Sequence, residues 1–119
     1  MSKIENTIGL LEAGIRAEGL RQKAIASNIA NLETPGYRRV DVKFADALIN
    51  ALESSGDVNL ADIQAEIYHT NNTPVNSKDN DVNLETEVGQ MVQNTLRHTA
   101  YIRLLNKKYQ QMSLAMNMK

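Results

Sequence analysis

The side chains able to do chemistry in this sequence are few and scattered. Histidine occurs twice, at His69 and His98. His69 follows Glu66 in a Glu-x-x-His step, which di-iron bundles use, but such a centre needs two of these steps and two further Glu. A surface pair is the reading the spacing supports. His98 has no His-x-x-x-His partner and falls in the apolar phase of a helix, so it reads as a satisfied interior histidine. Asp79, Asp81 and Asn83 open like a calcium loop. That loop requires Gly at its sixth position and Glu at its twelfth, where this chain has Leu84 and Gln90, so a polar turn is expected instead. There is no glycine-rich phosphate loop and no nucleophile elbow, and Ser27 has no base motif near it. The chain reads as a non-enzyme with no catalytic, cofactor-binding or metal-ligating residues and no cofactor.

The bulk properties narrow the partners. A formal net charge of −1, from 13 Lys+Arg against 14 Asp+Glu, leaves no basic stripe for nucleic acid and no polybasic membrane anchor. No apolar run approaches the roughly 18 residues of a membrane span, so no direct membrane insertion is expected. The chain has no cysteine, which excludes disulfides and leaves the compartment open. Met1 to Asn6 lack the apolar core of a cleaved secretory signal, so export would use another route. The low aromatic content, one Phe and four Tyr with no Trp, is sparse for a compact core of 119 residues.

The elements that carry these side chains fall into three stretches: an N-terminal axial helix over 1–33, turns, short strands and loops over 34–82, and a C-terminal axial helix over 83–119. In the first, Ile4, Ile8, Leu11, Ile15, Ile25, Ile29 and Leu32 recur in steps of four and three, with Glu18 and Gln22 in the two missing places. That is a heptad seam. Gly9, Gly14 and Gly19 lie off it and allow another backbone to approach. The helix should stop near Asn31, because Thr34-Pro35-Gly36-Tyr37 suits a type II turn. Val40, Val42 and Phe44 alternate with polar residues as in a short strand. Ala45–Leu52 fits a short helix and Ser54–Asp57 a loop. Leu60–Thr70 fits either a strand or a helix face, and Asn71–Asp81 is rich in turn residues.

The last stretch repeats the heptad step through Leu84, Val88, Met91, Thr95, His98, Ile102, Leu105, Tyr109, Met112 and Met116. Asn83 is a suitable N-cap, with Glu85 and Glu87 placed for the helix dipole. The Met stripe reads either as core or as adaptable contact surface. Two helices of about 30 residues each are roughly 45 Å long, and the middle is too short to wrap them. The expected fold is mainly α: two long terminal helices forming a coiled-coil-like pair, with a small irregular or β central region. The protomer should be elongated, with helix faces that only partners can bury.

Residues 26–37, Ala-Ser-Asn-Ile-Ala-Asn-Leu-Glu-Thr-Pro-Gly-Tyr, resemble the N-terminal signature of flagellar rod and hook proteins. Residues 80–88, Asn-Asp-Val-Asn-Leu-Glu-Thr-Glu-Val, are similar to a second element of the rod proteins, which there precedes a helix running to the chain end. The short middle is most similar to the proximal rod type. One departure is that the family commonly has Asp-Gly before the Asn, where this chain has Lys78-Asp79. The resemblance implies a structural subunit of the basal-body rod, exported by the flagellar type III apparatus. It also implies as partners further copies, the other rod proteins, the hook–basal-body adaptor protein and the export gate. Another rod or axial protein is the alternative within this class; a cytosolic coiled-coil adaptor or chaperone is the alternative outside it.

Ser27, Asn28, Asn31, Thr34, Pro35, Gly36 and Tyr37 form the expected assembly motif. Asn28 and Asn31 share a helix face, and their amides are placed to satisfy backbone groups of the turn. Pro35 and Gly36 set the chain reversal, and Tyr37 offers an aromatic body with a polar tip to a neighbour. The competing reading is a helix C-cap and tight turn that serve the monomer alone. Antiparallel pairing of the seams would set Ile4 opposite Met116, Gln22 beside His98, Ile25 beside Thr95, Leu32 beside Val88 and Glu18 beside Ile102. The polar interruptions would then form one layer, unless they face water or another subunit.

Overall fold

The computed structural model describes residues 3–53 and 63–118. The chain runs α1 (Lys3–Ala30), β1 (Val40–Lys43), α2 (Ala45–Glu53), β2 (Glu66–His69), α3 (Leu84–Asn117). The two long helices pack together as an antiparallel pair, and a small two-stranded sheet lies against α1. The strands are antiparallel, with Val40 opposite His69 and Lys43 opposite Glu66. The segment 60–70 therefore resolves in favour of a strand over its last part, and the loop expected at 54–57 lies outside the described residues. The shape is long and thin, 67 × 30 × 14 Å, with a radius of gyration of 17.9 Å. A compact chain of this length would have about 13–14 Å.

Each helix begins or ends for a local reason. α3 starts where Asn83 accepts a hydrogen bond from Thr86 N at 3.0 Å, an N-cap that satisfies one orphan amide. α1 ends where Asn31 Nδ2 turns back to Ser27 O at 2.8 Å. The chain then reverses through Thr34–Tyr37. Gly36 has φ +78° and Tyr37 N donates to Thr34 O at 3.3 Å, as a type II turn requires.

The core is small. Ile8, Leu11, Ala13, Ala17, Ala24, Ile25, Val42, Ile63 and Val82 are its buried apolar side chains. Almost as many polar ones are buried, namely Glu18, Asn28, Arg39, Asn80, Asp81, Glu87 and Asn94. Polar contacts therefore carry much of the specificity of this fold.

They also correct the register read from the heptads. Glu18 Oε1 accepts from Arg97 Nε at 2.9 Å and from Arg21 at 2.8 Å. Gln22 meets Asn94 at 2.8 Å, and Asn28 meets Glu87 at 3.1 Å. Gly14 faces the Tyr101 ring, where an added Cβ would come to 3.2 Å. Gln22 thus meets Asn94 in place of His98, about one helical turn earlier, and Glu18 meets Arg97 in place of Ile102. A polar layer does form, from different α3 residues than the seam supplied.

The face of α3 turned to α1 keeps Met91, His98, Leu105 and Met112 of the heptad seam and replaces Val88, Thr95 and Ile102 by the residues one position earlier, Glu87, Asn94 and Tyr101. Glu87, Met91, Asn94, His98, Tyr101, Leu105 and Met112 are buried or half-buried. Leu84, Val88, Ile102, Tyr109 and Met116 of the expected seam are exposed. On α1 the seam faces inward: Ile8, Leu11 and Ile25 are buried, and Ile15 and Ile29 half-buried. The side chain of Ile4 lies outside what is described. The physical reason for the offset is that two buried carboxylates, Glu18 and Glu87, must reach cations. Apolar contacts tolerate a helix rotation that those pairs do not.

Candidate assembly site: the junction of the two motifs

The two sequence motifs, some fifty residues apart, meet in space and interlock. Asn28 lies at their centre, 0% exposed. Its Nδ2 donates to Val40 O at 2.9 Å and to Glu87 Oε2 at 3.1 Å. Its Oδ1 accepts from Val40 N at 2.9 Å and from Tyr37 OH at 3.0 Å. The amide thus uses all four of its hydrogen-bonding positions, and pairs with Val40 as a neighbouring strand would. Because Tyr37 gives its proton to Asn28, the 3.1 Å contact with Ser27 Oγ has Ser27 as donor.

Glu87 is also 0% exposed. Its second oxygen accepts from Arg39 Nε at 2.7 Å. Arg39 reaches on to Thr70 Oγ1 at 3.3 Å, and its backbone N–H donates to Asp81 Oδ1. This ion pair joins the first turns of α3 to the start of β1. Glu87 therefore serves Arg39 and Asn28; its place near the helix N-terminus is secondary. Among the described residues, Asp81 Oδ2 is the buried side-chain oxygen with no hydrogen-bond partner.

Asn80 closes the other side. Its Nδ2 donates to Asn31 O at 2.9 Å and Thr34 O at 2.8 Å, carbonyls of the turn after α1 that also accept from Thr34 N and Tyr37 N. Its Oδ1 accepts from Val82 N at 2.8 Å. Gly36 N donates to Lys78 O at 3.1 Å, and Arg38 pairs with Asp79 at 2.6 Å. Asp79 has φ +59°. Asp79, which stands where the resemblance leads one to expect Gly, thus adopts the left-handed conformation that Gly takes without strain.

The site residues expected from sequence divide in two. Ser27, Asn28, Asn31 and Tyr37 are engaged within the protomer. Thr34, Pro35 and Gly36 are exposed at the tip of the turn, although Thr34 Oγ1 donates to Asn31 Oδ1 at 3.1 Å. The partners of Asn28 were not legible in sequence. Arg39 stands in the outward phase of the Val40-Val42-Phe44 alternation, which marks it as solvated. Asn80 and Glu87 lay inside the second motif with nothing to say what they touch. A pairing signal was present only in the types: two Arg, Arg38 and Arg39, follow the first motif, and two Glu, Glu85 and Glu87, lie inside the second, with nothing to say which pair.

Asp81 Oδ2 apart, the site's polar groups are engaged within the protomer, and no group of three His, Cys, Asp or Glu suited to a metal ion occurs among the described residues. No described helix is long and apolar enough to cross a membrane. His69 is exposed, with Nδ1 3.4 Å from Arg39 O. His98 is half-buried against α1.

Residues 13–38, most of α1 and the turn, match the family described as flagella basal body rod protein. A Bacillus subtilis protein named flagellar basal body rod protein FlgB is 27% identical over 118 residues, 92% of each chain. The protein of the same name from Borreliella burgdorferi is 25% identical over 116 residues, 82% of this chain and 86% of its own. That from Proteus mirabilis is 35% identical over 54 residues, 45% of this chain and 39% of its own.

Proposed function

We propose that this chain, which belongs to the flagellar basal body rod protein family, takes the proximal position in the rod and joins its neighbours by helix packing into a tube. That it is a structural subunit of the flagellar basal body rod follows from its relatives. The finer reading rests on one observation. α3 is 34 residues long, and its outer face keeps Leu84, Val88, Val92, Leu96 and Ile102 in solvent. Apolar surface continued over so many turns marks a contact face. Subunits stacked heterologously through such faces form an open helical array.

In this reading the junction holds α1 and α3 at a set angle and register. The exposed turn Thr34-Pro35-Gly36 and the outer seam of α3 touch neighbours. Those neighbours are further copies, other rod proteins, the hook–basal-body adaptor protein and the export gate. The chain reaches the basal body through the flagellar type III apparatus and performs no catalysis. Deletion of its gene should abolish motility together with rod assembly, seen as basal bodies without a rod. Intact rods in a deletion strain would overturn the reading and favour a cytosolic adaptor or chaperone.

A further inference from the structure

Two buried carboxylates stand beside one buried guanidinium. Asp81, Arg39 and Glu87 are 2%, 6% and 0% exposed. Glu87 Oε1 accepts from Arg39 Nε at 2.7 Å, and Arg39 Nη1 reaches Thr70 Oγ1 at 3.3 Å. Asp81 accepts the backbone N–H of Arg39 on Oδ1, while its Oδ2 is buried with no partner. An unmatched buried oxygen is costly, and the amide oxygen of an Asn would accept the same N–H. The bonds made in this arrangement therefore do not account for a charged group at position 81.

The two carboxylates are held by different parts of the chain. Glu87 belongs to α3, whereas Asp81 lies in the loop before it. That loop is fixed to the turn after α1 by contacts that do not involve α3. Asn80 Nδ2 donates to Asn31 O and Thr34 O, Gly36 N donates to Lys78 O, and Arg38 pairs with Asp79. When α3 lifts away, Glu87 leaves with it, and Asp81 stays at the base of the Arg39 side chain. The docking of α3 is weakly secured by apolar burial: among its described residues the fully buried side chains are Glu87 and Asn94, both polar.

We propose that Asp81 stands in for Glu87. While α3 is detached, the Arg39 guanidinium pairs with Asp81 Oδ2, and α3 docks by drawing it over to Glu87. The unpaired oxygen is the acceptor that Arg39 gives up on docking. A cation at this position needs a carboxylate in either state, and the exchange supplies one in both. The turn and the β1–β2 hairpin thus stay folded while α3 is free. Docking replaces one pair by another, so the equilibrium lies close to balance and is shifted by whatever covers docked α3. Glu87 adds what Asp81 lacks, since its second oxygen takes Asn28 Nδ2 at 3.1 Å and so ties α1 to α3. The inference concerns the single chain and does not depend on the rod reading.

NMR of the full chain tests it through the Arg39 Nε–H, which exchanges slowly only while a carboxylate holds it. That proton should stay slow in Glu87→Gln, where Asp81 takes it, with the first amides of α3 losing protection and those of β1 keeping theirs. It should also stay slow in Asp81→Asn, where Glu87 has no competitor and the first amides of α3 gain protection. The double variant Asp81→Asn/Glu87→Gln should lose the slow Nε–H, and its β1 amides should exchange about a hundredfold faster. A fast Nε–H in either single variant, or a slow one in the double variant, would overturn the proposal. So would a Glu87→Gln chain that circular dichroism finds unfolded, because Asp81 should keep the hairpin in place.

Discussion

At one end of the α1–α3 pair, where α1 runs into the Pro35 turn and α3 begins, Asn28, Arg39, Asn80 and Glu87 are buried and fully bonded to one another and to the backbone of three segments. At the other end, the helices are tied by a surface bond from Tyr109 OH to Glu12 Oε1 at 2.9 Å, which holds the Tyr109 phenol above its ordinary range. Beyond it Leu114, Met116 and Met118 stand in solvent. The same two helices are thus locked at one end and open at the other. Helical propensity does not make the difference, since both ends carry ordinary helix formers. The difference lies in desolvated polar groups, whose geometry is enforced because leaving any of them unpaired is costly.

Breaking the locked end should have the largest effect. Glu87→Ala leaves the Arg39 guanidinium buried without its carboxylate and should cost about 3–5 kcal/mol, read as a lowered urea midpoint. A folded domain of this size has only about 5–15 kcal/mol in hand, so the variant would sit close to unfolding. Replacing both partners, Arg39→Met with Glu87→Leu, should recover most of that loss. If the single variant is as stable as the wild type, the junction is not the lock described.

Asn28→Ala comes next. It removes four hydrogen bonds and strands Val40 N–H, Val40 O and one oxygen of Glu87, for an expected loss of about 2–3 kcal/mol. Hydrogen exchange should speed first at the β1 amides. A loss spread evenly over both helices would argue against a local role.

Gly36→Val should cost about 1–2 kcal/mol, because a β-branched residue resists the φ of +78° found there. Its fuller consequence is for assembly, since the turn tip is exposed. Swarming should fail while secretion of the subunit continues. Normal swimming would show that the turn geometry is dispensable.

At the open end, Tyr109→Phe should leave the urea midpoint close to that of the wild type. Amide exchange in a verified monomer should be fast in the last turns of α3 and slow near residue 87. Equal protection along its whole length would erase the contrast between the two ends.

Much of this molecule was determined by sequence alone. Steps of four and three apolar residues require long helices, Pro35 and Gly36 require a turn after Asn31, and Asn83 is competent to begin a helix wherever it stands. The alternation Val40-Val42-Phe44 requires extended chain. These are local properties, set by one or two turns of backbone, and they give the mainly α architecture with its small β insert. Tertiary structure decided what local pattern leaves degenerate. A heptad seam matches itself almost equally well after a slip of one turn, and apolar contacts across it change little when a helix rotates. Only groups that cannot be left unpaired in a desolvated layer distinguish those choices. Glu18 with Arg97, Gln22 with Asn94, and Asn28 with Arg39 and Glu87 set the register one turn away from the seam match and bring Glu87, Asn94 and Tyr101 inward beside the seam residues Met91, His98 and Leu105. Val88, Thr95 and Ile102 are thereby left outward, because the buried charges had first claim on the inward face.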